Sequence, residues 1–525
     1  MLITLALVAL LVTSIWLYSK HRLSYWAKLG IPSPPALPFF GNLFDLILEK
    51  RGRWVFEEKV YRKYTKGGLS GAYMFMWPIL YISDPEWIKQ ILVKDFDHFS
   101  ERQTFTSLNE NDRPMNESIF NANGEKWKKL RSLMSPTFTS GKMKHMFHLV
   151  CEKADALGVF CLKEATTKRF VNIKKACGRF TIDTIASCAF GLECNSFEDE
   201  NAVFPAKVQT FFEFSYLRML KIMLVMIMPF IGKFIDVGVF PEEKLFFQNV
   251  AEQTLAARRK ENKRGDFLDL LLEAQASEEK DSEDQTKPKV LNDLTIIAQS
   301  MLFIVVGYDT TSTAIAMTSF LLSKSPGIQQ RLRQELQEVV EKEGVLTYQG
   351  IMEAKFLDAC IMEALRLYPP SPILERVCSK DYQVPGTNIT VRKGDLVEVP
   401  LWSIHHDEKY WPEPEVFNPD RFMPENKADI LPYTHIPFGC GPRNCIAMRF
   451  ALMEAKVALS KLVLSFDMKT APRFDNIELA AGGFLLMPKA VNLTLKPLRD
   501  EWNLLGQSVE CCDTDVLPDR HLSDL

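Results

Sequence analysis

From Leu291 to Lys324 the chain is apolar for most of its length, entered through Asn292 and Asp293 and stopped at Ser325-Pro326. At about 1.5 Å of rise per residue such a helix extends roughly 50 Å, enough to cross a whole domain. A fold that buries it is large and built around it. A membrane span is the competing reading, but Gly307, Asp309, Thr310 and Thr311 stand at the middle of the run, where they are costly in lipid. The polar centre therefore reads as a place for chemistry. Gly307 lets the backbone approach a flat ligand, and a threonine hydroxyl can disturb local helix hydrogen bonds and hold a water. Asp309 beside Thr310 makes an acid–alcohol pair able to deliver protons.

Phe438 to Ala447 reads F-G-C-G-P-R-N-C-I-A, just before another long helical stretch. A thiolate there can bind iron. On haem iron a thiolate donates electron density that favours O–O cleavage, tuned by backbone N–H groups aimed at the sulfur and by limited water. Gly439, Gly441 and Pro442 give a tight turn that can aim amides at Cys445, Phe438 can shield a ring face, and Arg443 is placed to pair with a haem propionate. The bland alternative for Cys445 is a buried free thiol in a glycine loop.

The 525 residues are 47% hydrophobic and 25% charged, ordinary for a globular protein with a large core. A net charge of −3 argues against nucleic acid as the main partner, which needs a concentrated basic face. The 11 cysteines are scattered without a C-x-x-C pair, which suits reduced thiols facing the cytosol. Of the 8 histidines, His145 with His148 and the adjacent His405 and His406 read as structural or surface residues, because no H-E-x-x-H is present.

Met1 to Tyr18 carries no charged side chain, and Lys20, His21 and Arg22 follow it. That length suits a membrane-spanning helix, and charges after the run rather than before it argue against a cleaved signal peptide. The positive-inside rule puts the following chain in the cytosol. Gly30 to Gly41, rich in proline, reads as a stiff extended connector. The boundaries expected are an anchor over 1–19, a basic and proline-rich linker over 20–41, a catalytic domain over 42–498 and a polar tail over 499–525. Glu273 to Lys289 reads as a mobile surface loop. Ile222 to Gly232 is too short to span a bilayer, and reads as buried core or as an apolar surface dipping into lipid headgroups. Vicinal Cys511 and Cys512 read as part of a flexible tail.

The cysteine loop resembles F-x-x-G-x-R-x-C-x-G of the cytochrome P450 superfamily, matching at Phe438, Gly441, Arg443 and Cys445, with Ala447 in place of the last glycine. The helix centre V-G-Y-D-T-T-S resembles that superfamily's oxygen-activating [AG]-G-x-[DE]-T-[TS] from Gly307 through Thr311. Val306 departs from the usual small residue, and its extra methyls bear on pocket volume. Glu363 and Arg366 are spaced to pair on one helix face, and Arg421 in P-D-R-F can close a buried network with them. Trp127 and Arg131 match the family's W-x-x-x-R, whose members contact haem propionates, and Arg376 lies where the family has another propionate-binding arginine. G-E-K-W-K-K-L-R and D-F-L-D-L-L-L-E-A-Q look like the animal family 3 and insect family 6 and 9 group.

That resemblance implies a mainly α fold with smaller β-sheet regions, and haem b between the central helix and the loop of Cys445, its ligand. Asp309 and Thr310 would relay protons, and Trp127, Arg131, Arg376 and Arg443 would hold the propionates. Pocket walls would come from segments that include Phe120, Phe303, Val306, Ile373, Leu374 and Phe484. The group is typically microsomal, takes electrons from an NADPH-dependent reductase and oxidises lipophilic compounds, so the implied setting is the endoplasmic reticulum membrane. NADPH-cytochrome P450 reductase is the implied partner, with cytochrome b5 a second donor. Lys126, Lys128, Lys129 and Lys142 are either a basic face for that partner or a solvated one. A haem-thiolate isomerase of peroxides, a non-enzymatic haem binder and a haem-free membrane adaptor stay open as alternatives.

Overall fold

The computed structural model describes residues 2–48, 52–103, 113–199, 202–212, 221, 224, 241–260, 263–281, 289–480, 485–498 and 520–521. The expected central helix spans Asp293–Lys324. It starts after Asn292 because that side chain accepts the Thr295 N–H at 2.9 Å, satisfying a donor the first turn leaves open. Every residue from Thr311 to Ser323 is buried, so the helix is a core helix rather than a span. Helices Ile173–Ile185, Pro241–Arg258, Lys355–Leu367 and Met448–Ser465 pack around it. Small residues set the closest approach. A Cβ at Gly178 would lie 3.1 Å from the Tyr308 ring.

The β structure is minor and sits to one side. Leu69–Met74 pairs antiparallel with Trp77–Ile82, which runs parallel to Leu396–Val399, which in turn pairs antiparallel with Leu374–Val377. A second sheet joins Val171–Asn172, Asn492–Pro497 and Phe466–Thr470. One apolar core surrounds the central helix and another lies under the four-stranded sheet. Their junction positions the site.

The N-terminal helix runs Leu2–Arg22, past the expected boundary at 19, and is long and apolar enough to cross a membrane. The segment that follows is packed against the sheet. Ser19 is fully buried and its hydroxyl accepts the Phe39 N–H at 2.7 Å. Trp26, also fully buried, lies against Gly71, where a Cβ would come within 2.5 Å of the indole, and donates from Nε1 to the Ala72 carbonyl at 2.9 Å. Burying an indole and satisfying its N–H fixes a segment that proline content alone would leave extended.

Glu273 to Lys289 is likewise corrected, since helix Phe267–Asp281 takes in its first half. Buried Leu268, Leu270 and Leu271 hold the start of that helix, and the charged half is rich in good helix formers. Apart from Leu224, Ile222 to Gly232 lies outside the described residues, as do Cys511, Cys512 and Phe484.

Candidate active site

The cysteine loop closes on itself. Cys445 N donates to the Phe438 carbonyl at 2.8 Å, and Gly439 and Gly441 take φ of 72° and 70°, the left-handed region that favours glycine. At Gly441 a Cβ would stand 2.0 Å from the Leu92 carbonyl oxygen, so no larger residue fits there. Burial pushes the Cys445 thiol up, opposed by the Ala447 backbone N–H directed at the sulfur and by the Arg131 and Arg102 guanidiniums. Ala447 has φ −93°, ordinary for any residue, so alanine in place of glycine strains nothing.

Four guanidiniums gather beside this loop. Arg443 donates to the carbonyls of Ser100 at 2.7 Å and Ala122 at 2.6 Å and to Asn123 Oδ1 at 2.9 Å, and lies 4.5 Å from the Trp127 ring centroid. Arg131, one helical turn from Trp127, donates to the Asn444 carbonyl at 2.9 Å and Oδ1 at 2.7 Å. Arg376 donates to the Glu375 carbonyl at 2.7 Å and its buried Nε has no partner among the described residues. Arg102 stacks on Phe120 at 4.6 Å and donates to the Arg443 carbonyl at 3.4 Å.

None of the four forms an ion pair among the described residues. Burial, then mutual repulsion, pushes Arg443 down to about 8 and Arg376 down to about 9. Arginine keeps its proton in proteins, so these directions register unmatched positive charge.

The central helix presents Phe303, Val306 and Thr310 on one face, since three and four residues make about one turn. Val306 is 42% exposed on an otherwise buried helix. Thr310 Oγ1 donates to the Val306 carbonyl at 2.7 Å, the back-bonding expected of a mid-helix threonine. Phe303 packs against Phe138 and Phe267, with centroids 5.8 and 5.4 Å away. Ile373 and Leu374 are partly buried and lead into the strand of Arg376.

Two expectations about the helix centre change. A Cβ at Gly307 would stand 2.5 Å from Ile185 Cδ1, so this glycine admits a neighbouring helix rather than a flat ligand. The Asp309 carboxylate turns the same way and pairs with Lys174 Nζ at 2.7 Å, while Lys174 also reaches Ser312 Oγ at 2.6 Å. Asp309 and Thr310 are sequence neighbours whose side chains point to different surroundings, because adjacent helical positions diverge by about 100°.

The Glu363, Arg366 and Arg421 network forms. Arg366 Nε and Nη2 donate to Glu363 at 2.7 and 2.9 Å, Arg366 Nη1 donates to the His405 carbonyl at 2.7 Å, and Arg421 Nε lies 3.5 Å from Glu363. Glu363 also accepts the Asn418 N–H at 3.0 Å, which ties the segment before the cysteine loop to helix Lys355–Leu367. Arg102 and Lys174 escaped the sequence reading. Neither sits in a recurring pattern, and only the fold brings them to the site.

A central helix, a thiol in a glycine turn and buried guanidiniums without ion pairs among the described residues make a mainly helical protein with a site for a thiophilic, anionic group. The family model "Cytochrome P450" matches residues 31–495. The chain is 36% identical over 506 residues to cytochrome P450 3A7 of Homo sapiens, covering 95% of this chain and 97% of that one. It is 35% identical over 501 residues to cytochrome P450 3A12 of Canis lupus familiaris, covering 94% and 96%. It is also 35% identical over 480 residues to cytochrome P450 6k1 of the insect Blattella germanica, covering 89% and 91%. The chain belongs to the cytochrome P450 family, and it is a cytochrome P450 monooxygenase. The family implies a haem-thiolate, and the donor set fits one: a soft sulfur with an amide aimed at it, and buried guanidiniums lacking counter-charge for a dicarboxylate.

Proposed function

We propose that this protein, anchored in the endoplasmic reticulum membrane with its catalytic domain in the cytosol, inserts one atom of O2 into lipophilic substrates and releases the other as water. Electrons come from NADPH through NADPH-cytochrome P450 reductase, with cytochrome b5 as a second donor. Cys445 would supply the sulfur ligand of haem b, and Arg131, Arg376 and Arg443, joined by Arg102, would hold its propionates while Trp127 backs Arg443. Bound haem supplies the activation of O2.

The protein's own groups do the rest. The Ala447 N–H stabilises sulfur charge, and Phe438, whose carbonyl fixes the Cys445 amide, keeps the loop closed. Thr310 commits its proton to the Val306 carbonyl, which leaves its oxygen lone pairs free to accept from a water on the exposed helix face. Asp309, held by Lys174, which also donates to Ser312, is placed to pass on a proton taken from solvent. Val306 narrows that face with apolar surface, which favours apolar substrates.

The observation that carries the reading is a thiol and four guanidiniums converging, none of the four in an ion pair among the described residues. Reduced, carbonyl-treated full-length protein is expected to show the red-shifted absorption of thiolate-ligated iron, and Cys445→Ser to lose it. Thr310→Ala should oxidise NADPH with peroxide released in place of product. Unchanged coupling removes Thr310 from the relay. Product formed from a peroxide without NADPH would favour an isomerase instead.

A further inference from the structure

Tyr81, Glu398 and Glu375 stand side by side across three strands, Tyr81 in register with Glu398 and Glu398 with Glu375. Two carboxylates directly opposed on neighbouring strands repel. Helix Arg53–Tyr64 adds Glu57 and a single cation to this row. Arg53 lies 2.7 Å from Glu57 and also bonds Glu398, so its guanidinium is shared by those two acids. Among the described residues no ion pair reaches Glu375, and its Oε1 accepts the backbone N–H of Gln103 at 3.1 Å.

Gln103 ends a short segment that holds the arginine cradle. The Ser100 carbonyl accepts from Arg443, the Glu101 carbonyl accepts the Val377 N–H at 2.8 Å, and the Arg102 N–H donates at 3.2 Å to Asn123 Oδ1, which also accepts from Arg443. One end of the segment rests on Glu375 and the other on Arg443. Glu398 faces Glu375 from the neighbouring strand, Arg53 from the covering helix and Arg102 from the segment, while adjacent Arg376 points to the other side of the strand. Burial and then Glu398 push the Glu375 carboxyl up to about 7, opposed by Arg53, the Gln103 N–H and Arg102. A carboxyl so placed gains and loses its proton near neutrality, where ordinary carboxylates stay ionised.

We infer that Glu375 is a positioning residue that sets the charge of the arginine cradle: neutral, it leaves the guanidiniums to the propionates alone, and ionised, it adds a third carboxylate through Arg102 and makes the bound iron harder to reduce. The proton leaves to solvent and no covalent bond changes. The inference rests on the haem-thiolate reading above.

The test is the midpoint potential of the full-length holoprotein, measured spectroelectrochemically at pH steps on either side of neutrality. Wild type should show a potential that falls as pH rises through neutral. Glu375→Gln, whose amide oxygen still accepts the Gln103 N–H, should lose that fall and hold the acid-side value throughout. A flat wild-type curve, or a fall that survives in Glu375→Gln, overturns the inference. The carbonyl band of each sample separates the two ideas. Its absence sinks the haem-thiolate reading, whereas its presence with a flat curve sinks the role of Glu375 alone.

Discussion

Arg366 and Arg421 meet a carboxylate, whereas Arg102, Arg131, Arg376 and Arg443 meet only carbonyl and amide oxygens. The first cluster holds the chain between His405 and Asn418, and the second gathers beside the loop of Cys445. The difference separates two uses of one residue type. A guanidinium matched to an acid inside the chain is complete when the protein folds, and its work is to hold segments in register. A buried guanidinium left to neutral oxygens carries a desolvation cost that folding alone does not offset. That cost marks a place built for an anion.

The comparison breaks most visibly at Glu363. Glu363→Ala leaves Arg366, 0% exposed, without its counter-charge and should cost about 3–5 kcal/mol, read in urea melts and as loss of the carbonyl band. Replacing Glu363 and Arg366 together by apolar residues should recover part of the loss.

Acid probes the matched cluster next. His405 Nδ1 donates to the Arg366 carbonyl at 3.0 Å, and its ring stacks at 5.3 Å on His435. Burial and the neighbouring cations push His435 down to about 3 and His405 well below its usual range. Both are neutral when folded, and unfolded histidines take up protons below about pH 6.5. The unfolded state therefore binds more protons in this window, and stability should fall as pH drops from about 6.5 toward about 3. His435→Phe, a ring beside Phe422, should flatten that limb. A limb unchanged in the variant would place the acid sensitivity elsewhere.

The smallest effect belongs to the unmatched cluster. Arg376→Met removes a buried cation with no acid partner, so the cofactor-free protein should change by less than about 1 kcal/mol. The same variant should surrender haem faster to a scavenging protein. A large loss of cofactor-free stability would mean that Arg376 is structural after all.

What could be read before folding follows sequence distance. The loop around Cys445, the pair Glu363 and Arg366, and the turn linking Trp127 to Arg131 are local, and their spacing carries their geometry. Arg421 joined them because its order along the chain recurs in the family. Arg102 and Lys174 have no such frame, and only tertiary packing aims them at Arg443 and Asp309. The fit of Ile185 against Gly307 is not legible either, because a glycine in a helix does not say which neighbour it admits, and Ile185 is more than a hundred residues away. The burial of Trp26 is not legible locally, since Gly71, which receives it, lies far downstream. Local composition describes what a segment prefers, and the partner decides what it does.

The buried Ser19 and Trp26 join the N-terminal helix to the sheet without slack. Set in a bilayer, a leaning helix would lean the attached sheet with it, like a mast stepped into a keel. Lengthening the chain between Arg22 and Trp26 would set the one adrift from the other.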